Sequence, residues 1–259
     1  MVPEQFFTMV QQADPSWHAI LREGLEAMNA ADPGYLPALI NAAFLPTGNR
    51  LFAAFALPLQ RVRYVLVGEG PYPREASATG VCFMDGAVGT LWSAGGLSKP
   101  VNRATSLRNF MKMLLVADGQ LQPERTAGDA LAEVAAKAQA PDSPFIQTLS
   151  QLQHNLTENG FLLLNAALAF RADVAPVKEA RSWLPFLETV LAALARQSDT
   201  HLKKSPTLVL WGKIAAQVEP IGIAESFPKA IAEHPYNLSF ITNRSMQLLF
   251  GPMHLLNAS

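Results

Sequence analysis

YVLVGEGPYPREASATGVCF, residues 64–83, is the stretch that decides the fold. Its first four residues, 64–67, are apolar, and GEGPY follows at once at 68–72. A short apolar run that ends at glycine is typical of a buried strand followed by a tight loop. This loop would present a carboxylate, Glu69, and an aromatic ring, Tyr72, at the end of a core strand. Such residues are candidate functional groups, because sites in open α/β sheets lie beyond the carboxyl ends of the strands.

Strand-like and helix-like segments alternate along the rest of the chain. Further apolar runs occur at GFLLLNAAL (160–168), PTLVLWG (206–212) and, more weakly, KAIAEHPYNLS (229–239). Apolar residues at steps of three and four predict helices at 17–30, 105–119, 143–160 and 182–197. This alternation predicts an α/β fold, a three-layer α/β/α sandwich with a central four-stranded, mainly parallel sheet.

The whole chain, 1–259, is predicted to form a single domain. The segment 117–143 is rich in alanine, polar residues and turn formers, which favours a surface insertion with a short helix at 129–139. Ser143, the last residue of this segment, is the expected N-cap of the next helix, with Pro144 in its first turn.

Composition excludes several classes of protein. Of the 259 residues, 49% are hydrophobic and 16% charged, with 20 Lys+Arg against 21 Asp+Glu. A single cysteine, Cys82, excludes an internal disulfide framework and a four-cysteine iron–sulfur or zinc site, so we expect no metal and no cofactor. We see no signal peptide and no apolar run near the ~20 residues that span a bilayer. We therefore expect a cytoplasmic protein with no membrane contact.

Polar and aromatic residues gather in the loops that follow the predicted strands. Asn165 follows the second strand, and His234 and Tyr236 follow the fourth. An asparagine can pair bidentately with a base edge, an aromatic ring can stack on its face, and a histidine can donate to a carbonyl oxygen. Together these residue types suit a planar heterocycle.

In their order along the chain, these motifs resemble the uracil-DNA glycosylase superfamily, closest to its uracil-specific branch. LVGEGPY resembles that branch's water-activating loop, Gly-Gln-Asp-Pro-Tyr after a strand, and TGVCF resembles the base-stacking segment. SLRNFMKML resembles a serine-headed, DNA-facing helix, and NGFLLLNAALAFRA the strand that ends in the uracil-reading asparagine. LVLWGKIAAQ resembles the strand with the Gly-Ser phosphate loop, and HPYNLS the minor-groove loop. The six motifs occur in the expected order, and the resemblance covers roughly residues 15 to 250.

The resemblance implies a role for each matching residue in the base pocket. Tyr72 would block the 5-methyl group of thymine, and Phe83 would stack on the flipped base. Asn165 would bond the uracil edge at N3 and O4, and His234 would stabilise the charge that develops at O2. The implied reaction is hydrolysis of the N-glycosidic bond, with uracilate as leaving group.

The resemblance also implies DNA contacts. Leu238 would fill the gap left by the flipped nucleotide, and Ser106, Gly212 and Ser239 would clamp phosphates. Lys213 stands where the branch has the serine of its phosphate loop, and its charge could keep that contact. Basic residues near these loops could form a local basic face on a protein of near-neutral charge: Arg103, Arg108, Lys112, Arg171, Lys178, Arg181 and Lys213.

The water-activating loop departs from the branch at its central position. Gly70 stands where the branch has its catalytic Asp, and Glu69 where it has Gln. Together with Gly68, these residues would line the substrate side of the loop. Glu69 is the candidate acid. Neighbours in an extended segment point to opposite sides, yet this loop is not regular strand and the two glycines that flank Glu69 could reorient it. GEGP also resembles the Gly-Glu-Ala-Pro-Gly loop of the superfamily's iron–sulfur glycosylases, whose four cluster cysteines this chain lacks.

Three functions follow from this sequence. The first is a DNA glycosylase, a hydrolase of DNA repair that acts on uracil or a related damaged base, with Glu69 or only ordered water in place of the missing Asp. The second is a catalytically impaired relative that still binds nucleic acid. The third is a binder or hydrolase of free nucleosides or small heterocycles. We expect the first, as a monomer whose partner is DNA containing uracil or a damaged base, with no obligate protein partner.

Overall fold

A computed structural model describes residues 1–200 and 205–258 of the chain. Its strands are β1 (Tyr64–Gly68), β2 (Trp92–Ser93), β3 (Gly96–Leu97), β4 (Phe161–Asn165), β5 (Thr207–Trp211) and β6 (Lys229–Ala232). Four of them form one sheet in the order β4-β1-β5-β6, and β2 pairs with β3 in a small antiparallel hairpin. The sheet is parallel and flanked by helices, so the predicted α/β fold is confirmed.

The α-helices alternate with these strands. Among the described residues they are α1 (Glu4–Val10), α2 (His18–Ala31), α3 (Tyr35–Ile40), α4 (Lys99–Arg103), α5 (Thr105–Ala117), α6 (Asp129–Ala138), α7 (Leu149–Glu158), α8 (Pro176–Thr200), α9 (Ile214–Val218) and α10 (Arg244–Phe250). The helices predicted from periodicity correspond to α2, α5, α7 and α8, and the short helix predicted within 117–143 corresponds to α6. No helix in the described part of the chain is long and apolar enough to cross a membrane.

The predicted start of α7 is wrong. The helix begins at Leu149, and its N-cap is Thr148, whose hydroxyl accepts from the Gln151 N–H while the Gln151 side chain accepts from the Thr148 N–H. Ser143 instead accepts from the N–H of Phe145, which forms an antiparallel bridge with the distant residue 257. This bridge holds the residues before Thr148 in an extended conformation.

The chain divides into two compact units. The first comprises residues 1–86, 160–210 and 214–229, and the second comprises 87–159, 211–213 and the chain from Ala230 onward. The prediction of one domain with an insertion at 117–143 stays a prediction.

In the first unit, strand residues of one parity build the core. The alternate residues of β1, β4 and β5 that enter this core are Val65, Val67, Leu162, Leu164, Leu208 and Leu210. They pack with the apolar faces of α1, α2, α3 and α8, and a Cβ added at Gly24 of α2 would lie 2.6 Å from the Phe186 ring of α8. The register pairs Val67 with Leu164 and Gly68 with Asn165, so β1 and β4 end side by side.

The second unit packs around Trp211. Its ring contacts Phe110 of α5 and Phe250 of α10 with centroid distances of 5.5 and 6.2 Å, and Phe240 at 5.3 Å. The hairpin β2–β3 packs against α6, where Leu131 approaches Gly96. The loop that follows β6, residues 233–239, therefore leads directly into a rigid aromatic core at Phe240.

Candidate active site

The first group of candidate residues lies where β1 and β4 end. Gly68 is the register partner of Asn165, and a Cβ at Gly68 would lie 2.8 Å from Asn165 Oδ1 and 2.5 Å from Cys82 Sγ. Both distances are shorter than real Cβ contacts, so glycine at this position leaves the space that the amide and the thiol occupy. The Cys82 N–H donates to the carbonyl of Leu163 at 3.0 Å, which fixes the thiol beside β4.

Asn165 carries a nearly buried amide with no partner inside the protein. The residue is 5% exposed, and no residue in the described ranges donates to or accepts from its side chain. In the described part of the chain, the fully buried side-chain atoms without a partner belong to Asn29, Ser77 and Trp183, so the Asn165 amide still reaches solvent and is open to a ligand. A bound ligand that offers both a donor and an acceptor would satisfy this amide.

Regular strand pairing ends at Glu69, the residue directly after β1. The carbonyls of Gly68 and Glu69 both accept from the chain after β4, from the N–H groups of Ala166 at 2.7 Å and Ala167 at 3.2 Å. Consecutive carbonyls of a regular strand point to opposite neighbours, so the backbone turns between them. The expectation that positions 69 and 70 point to opposite sides therefore does not apply to this loop.

Glu69 and Gly70 are both exposed. Among the residues that the structure describes, none forms a hydrogen bond or ion pair with the Glu69 carboxylate. A Cβ added at Gly70 would have Ala167 O at 3.7 Å and Ala167 Cβ at 3.8 Å as its neighbours. These are ordinary contacts, so position 70 has room for a side chain.

Tyr72 and Phe83 lie in the same unit, and the Tyr72 hydroxyl is 3.5 Å from the carbonyl oxygen of Phe83. Burial raises the pKa of Tyr72, with smaller contributions from Cys82 and Asp85, so its phenol stays neutral. Phe83 has a φ of 67°, a left-handed conformation that bulky residues rarely adopt. Such strain is characteristic of functional sites, where surrounding structure holds a side chain in a required orientation.

The second group of candidate residues belongs to the other unit. His234 is exposed, and its Nδ1 accepts a hydrogen bond of 3.1 Å from the Tyr236 N–H. Nδ1 therefore carries no proton, and a neutral imidazole must hold its proton on Nε2. Gly212 has a φ of 66°, and a Cβ there would lie 2.8 Å from His234 Cβ, so only glycine fits beside the histidine.

Asn109 of α5 holds the histidine loop and was not predicted from the sequence. This residue is fully buried, and its Nδ2 lies 2.7 Å from the carbonyl of Pro235, 3.3 Å from that of Tyr236 and 3.4 Å from that of Asn237. The available signal was a polar residue in the apolar stripe of helix 105–119.

The chain is similar to known proteins in both sequence and structure. No family model matches the chain. A curated uracil-DNA glycosylase of Streptomyces coelicolor is 26% identical over 182 residues, which are 70% of this chain and 62% of that protein. One of Mycolicibacterium gilvum is 26% identical over 228 residues, 87% of this chain and 82% of that protein. The crystal structure of the UNG of Nitratifractor salsuginis is 36% identical and covers 99% of this chain and 97% of its own, with a TM-score of 0.87.

This chain belongs to the uracil-DNA glycosylase family. The resemblance predicted from its motifs is thereby confirmed. A mimivirus UNG variant, 15% identical with a TM-score of 0.52, shares the fold. Within residues 1–200 and 205–258, no three His, Cys, Asp or Glu side chains are grouped so that they could hold a metal ion.

The residues that family resemblance assigns to DNA contact are open to solvent or nearly so. Ser106 is half-buried in the first turn of α5, a 13-residue helix whose N-cap, Ala104, forms no side-chain hydrogen bond. Lys213, Leu238 and Ser239 are exposed, Leu238 to 68%. An open helix N-terminus suits a phosphate, and exposed leucine at a loop tip suits an apolar contact with bases.

Arg171, which the sequence placed in a local basic face, is instead paired with a buried carboxylate. Its Nε donates to Glu179 Oε1 at 2.5 Å, and its guanidinium lies 5.2 Å from the centre of the Tyr35 ring. The Arg171 and Glu179 side chains are 12% and 3% exposed, and Tyr35 donates its hydroxyl to the second carboxylate oxygen. Arg171 therefore neutralises a buried carboxylate. The buried pair anchors the chain after β4 to α8.

Proposed function

We propose that this protein is a DNA glycosylase that hydrolyses the N-glycosidic bond of uracil, or of a related damaged base, in DNA after base flipping. The observation that carries the proposal is the side-chain amide of the nearly buried Asn165, which has no partner among the described residues. It lies at the end of a parallel strand, beside a glycine that leaves it space. Family membership supplies the reaction class.

Recognition of the base rests on Asn165, Tyr72 and Phe83 in this proposal. The Asn165 Oδ1 accepts from N3–H of uracil, while Nδ2 donates to O4. Cytosine offers an acceptor at N3 and a donor at N4, so the fixed amide rejects it. The Phe83 ring stacks on the flipped base, and Tyr72, kept neutral by burial, occupies the space that a 5-methyl group would need.

Bond cleavage rests on stabilisation of the leaving group. As the bond between C1′ and N1 breaks, negative charge develops on O2 of the base and positive charge on the sugar. His234 donates from Nε2–H to O2, because its Nδ1 already accepts from Tyr236 N–H. Water adds to C1′ and loses a proton, and the base leaves as uracilate. Glu69 receives that proton or orients the water.

DNA that contains uracil or a damaged base is the proposed partner. Ser106, Gly212, Lys213 and Ser239 contact phosphates, and Leu238 enters the base stack. Phosphate contacts set register and affinity but do not read sequence, so the lesion is read by the base pocket. The cytoplasmic location stays a prediction.

The test is release of free uracil from single- and double-stranded oligonucleotides. Asn165→Ala should lower kcat/KM by about 10²-fold or more, because the site loses its bidentate partner. Asn165→Asp should shift recognition away from uracil, since a carboxylate cannot donate to O4. Asn41→Ala is the matched control, an exposed asparagine whose amide binds only the Pro37 carbonyl, and it should keep full activity.

Absence of base release from every lesion tested, at high protein concentration, would refute the glycosylase proposal. Salt-sensitive DNA binding without release would then indicate a relative that only binds nucleic acid. Saturable binding of a free heterocycle that DNA does not compete would indicate a small-molecule protein.

A further inference from the structure

Tyr236 is a large aromatic side chain that the histidine loop displays to solvent. It is 68% exposed, as much as Leu238 two residues later. Within the described part of the chain, no residue forms a ring contact or a side-chain hydrogen bond with it. Two large side chains exposed two residues apart in the loop that carries His234 are candidate contact residues, since tyrosine combines an apolar ring with a polar tip and is enriched at interfaces.

The backbone beneath this ring is fixed. The Tyr236 N–H donates to His234 Nδ1 at 3.1 Å, and the Asn237 N–H closes a turn onto the His234 carbonyl at 2.9 Å. The Tyr236 carbonyl accepts from the buried amide of Asn109. The loop therefore presents the ring from a rigid support, and ordering it on binding costs little beyond the side chain's own rotamers.

We propose that Tyr236 is a second base-contacting side chain, which stacks on the nucleobase next to the flipped nucleotide while Leu238 fills the vacated gap. This inference rests on the proposed function, because it takes DNA as the partner. A nucleobase is the occupant that fits, since the exposed ring lies in the same loop as the exposed His234, Leu238 and Ser239, to which this proposal assigns base and phosphate contacts. Every base has a π-face, so such stacking adds affinity without adding sequence preference.

Charge around the loop agrees with a nucleic-acid partner. In the same unit, Arg103 ends α4 and Arg108 lies in the first turns of α5 beside Asn109. Lys112 lies one turn further along α5. Arg244 begins α10 just after the loop and is exposed. These positive groups would attract the phosphates on either side of a stacked base.

The experiment uses an oligonucleotide with 2-aminopurine next to a tetrahydrofuran abasic analogue, which cannot be cleaved, in single- and double-stranded form. Stacking of the Tyr236 ring changes the 2-aminopurine fluorescence on binding. Tyr236→Ala should abolish most of that change and weaken binding about 5- to 100-fold, the range that base–aromatic stacking supports. Tyr236→Phe keeps the ring and should retain both signals.

Leu248→Ala is the matched control. Leu248 lies on α10 in the same unit and is 62% exposed, so it tests loss of a large exposed apolar side chain outside the loop. Its binding and fluorescence change should equal those of the unaltered protein. Because Tyr236 and Leu248 are both exposed, neither variant should unfold the protein, which a thermal melt checks.

The outcomes separate this inference from the proposed function. If Tyr236→Ala binds and alters 2-aminopurine fluorescence like the unaltered protein, the stacking role is wrong, whether or not uracil is released. If the fluorescence change depends on Tyr236 but no uracil is released, the stacking role stands and the glycosylase proposal fails. If the unaltered protein binds neither oligonucleotide, the stacking role is wrong, and release of uracil decides the glycosylase proposal separately.

Discussion

At the scale of single residues, the question is which side chain handles water. Glu69 is exposed and has no partner in the described part of the chain, which leaves its carboxylate available. By the motif resemblance, Gly70 would stand at the position of a catalytic acid, and position 70 has room for a side chain. The two positions are adjacent, yet substitutions at them have different expected effects on uracil release.

Gly70→Asp should fold normally and raise kcat for uracil release by about 10²-fold, because a positioned acid or base contributes about 10²- to 10⁴-fold. Its Cβ would meet nothing closer than 3.7 Å. Gly70→Asn is the matched control, with the same shape and no charge, and it should bring no gain. Steady-state kinetics on a uracil oligonucleotide give both values.

Glu69→Gln keeps the size of the side chain and removes the acid. We expect a loss of about 10²-fold in kcat with little change in KM, because the role proposed for Glu69 is exerted in the transition state. Unchanged kcat in Glu69→Gln, combined with a gain in Gly70→Asp, would show that ordered water alone serves the natural site.

At the scale of elements, α5 positions the histidine loop through one amide. Asn109→Ala removes the donor to the Pro235 carbonyl and leaves buried polar groups unsatisfied, at a cost of roughly 1–3 kcal/mol of stability. Because that carbonyl lies next to His234, we also expect kcat for uracil release to fall more than about 10-fold.

Asn155 supplies the control for this prediction. It lies in α7 of the same unit, is 7% exposed, and its Nδ2 donates to the carbonyls of Leu255 and Asn257 at 2.8 and 2.7 Å. Asn155→Ala should cost similar stability in urea unfolding and leave kcat intact. Equal losses of kcat in both variants would show that Asn109 acts through stability alone.

Elements were more predictable from the sequence than the contacts between them. The apolar runs before Gly68 and at 160–168 and 206–212 locate strands, because a buried strand must be apolar and a turn must end it. The start of α7 was misplaced because Phe145 pairs with residue 257, which no local pattern reveals. Position and chemistry indicated Asn165, but the space that Gly68 leaves for its amide appears only in three dimensions.

The same limit applies to charged and polar residues with distant partners. From the sequence, Arg171 is indistinguishable from other surface basic residues. The structure shows that it pairs with Glu179, which also accepts from Tyr35. Asn109 reads as a polar interruption of a helix until its partners, 126 to 128 residues away, are known. Their roles depend on tertiary contacts, which periodicity does not encode.

At the scale of the whole molecule, the buried thiol of Cys82 links stability to pH. Burial raises the pKa of Cys82 to about 12, whereas an unfolded thiol ionises near pH ~8.5. Between these values the folded protein keeps a proton that the unfolded chain loses. The contribution of the protonated thiol to the free energy of unfolding is therefore fully present below pH ~8.5 and is lost as pH rises. Burial also raises the pKa of Tyr35 and of Tyr72, which adds to the loss above about pH 10.

Urea unfolding between about pH 8.5 and 10 isolates the contribution of the cysteine. In that window the free energy of unfolding should fall by up to ~1.4 kcal/mol per pH unit more steeply in the natural protein than in Cys82→Ala, which has no thiol to titrate. The variant should start lower at pH 7, because it loses buried volume, and the two curves should converge as pH rises. Parallel curves would mean that the thiol ionises equally well in the folded protein, which is incompatible with its tight packing against Gly68 and β4.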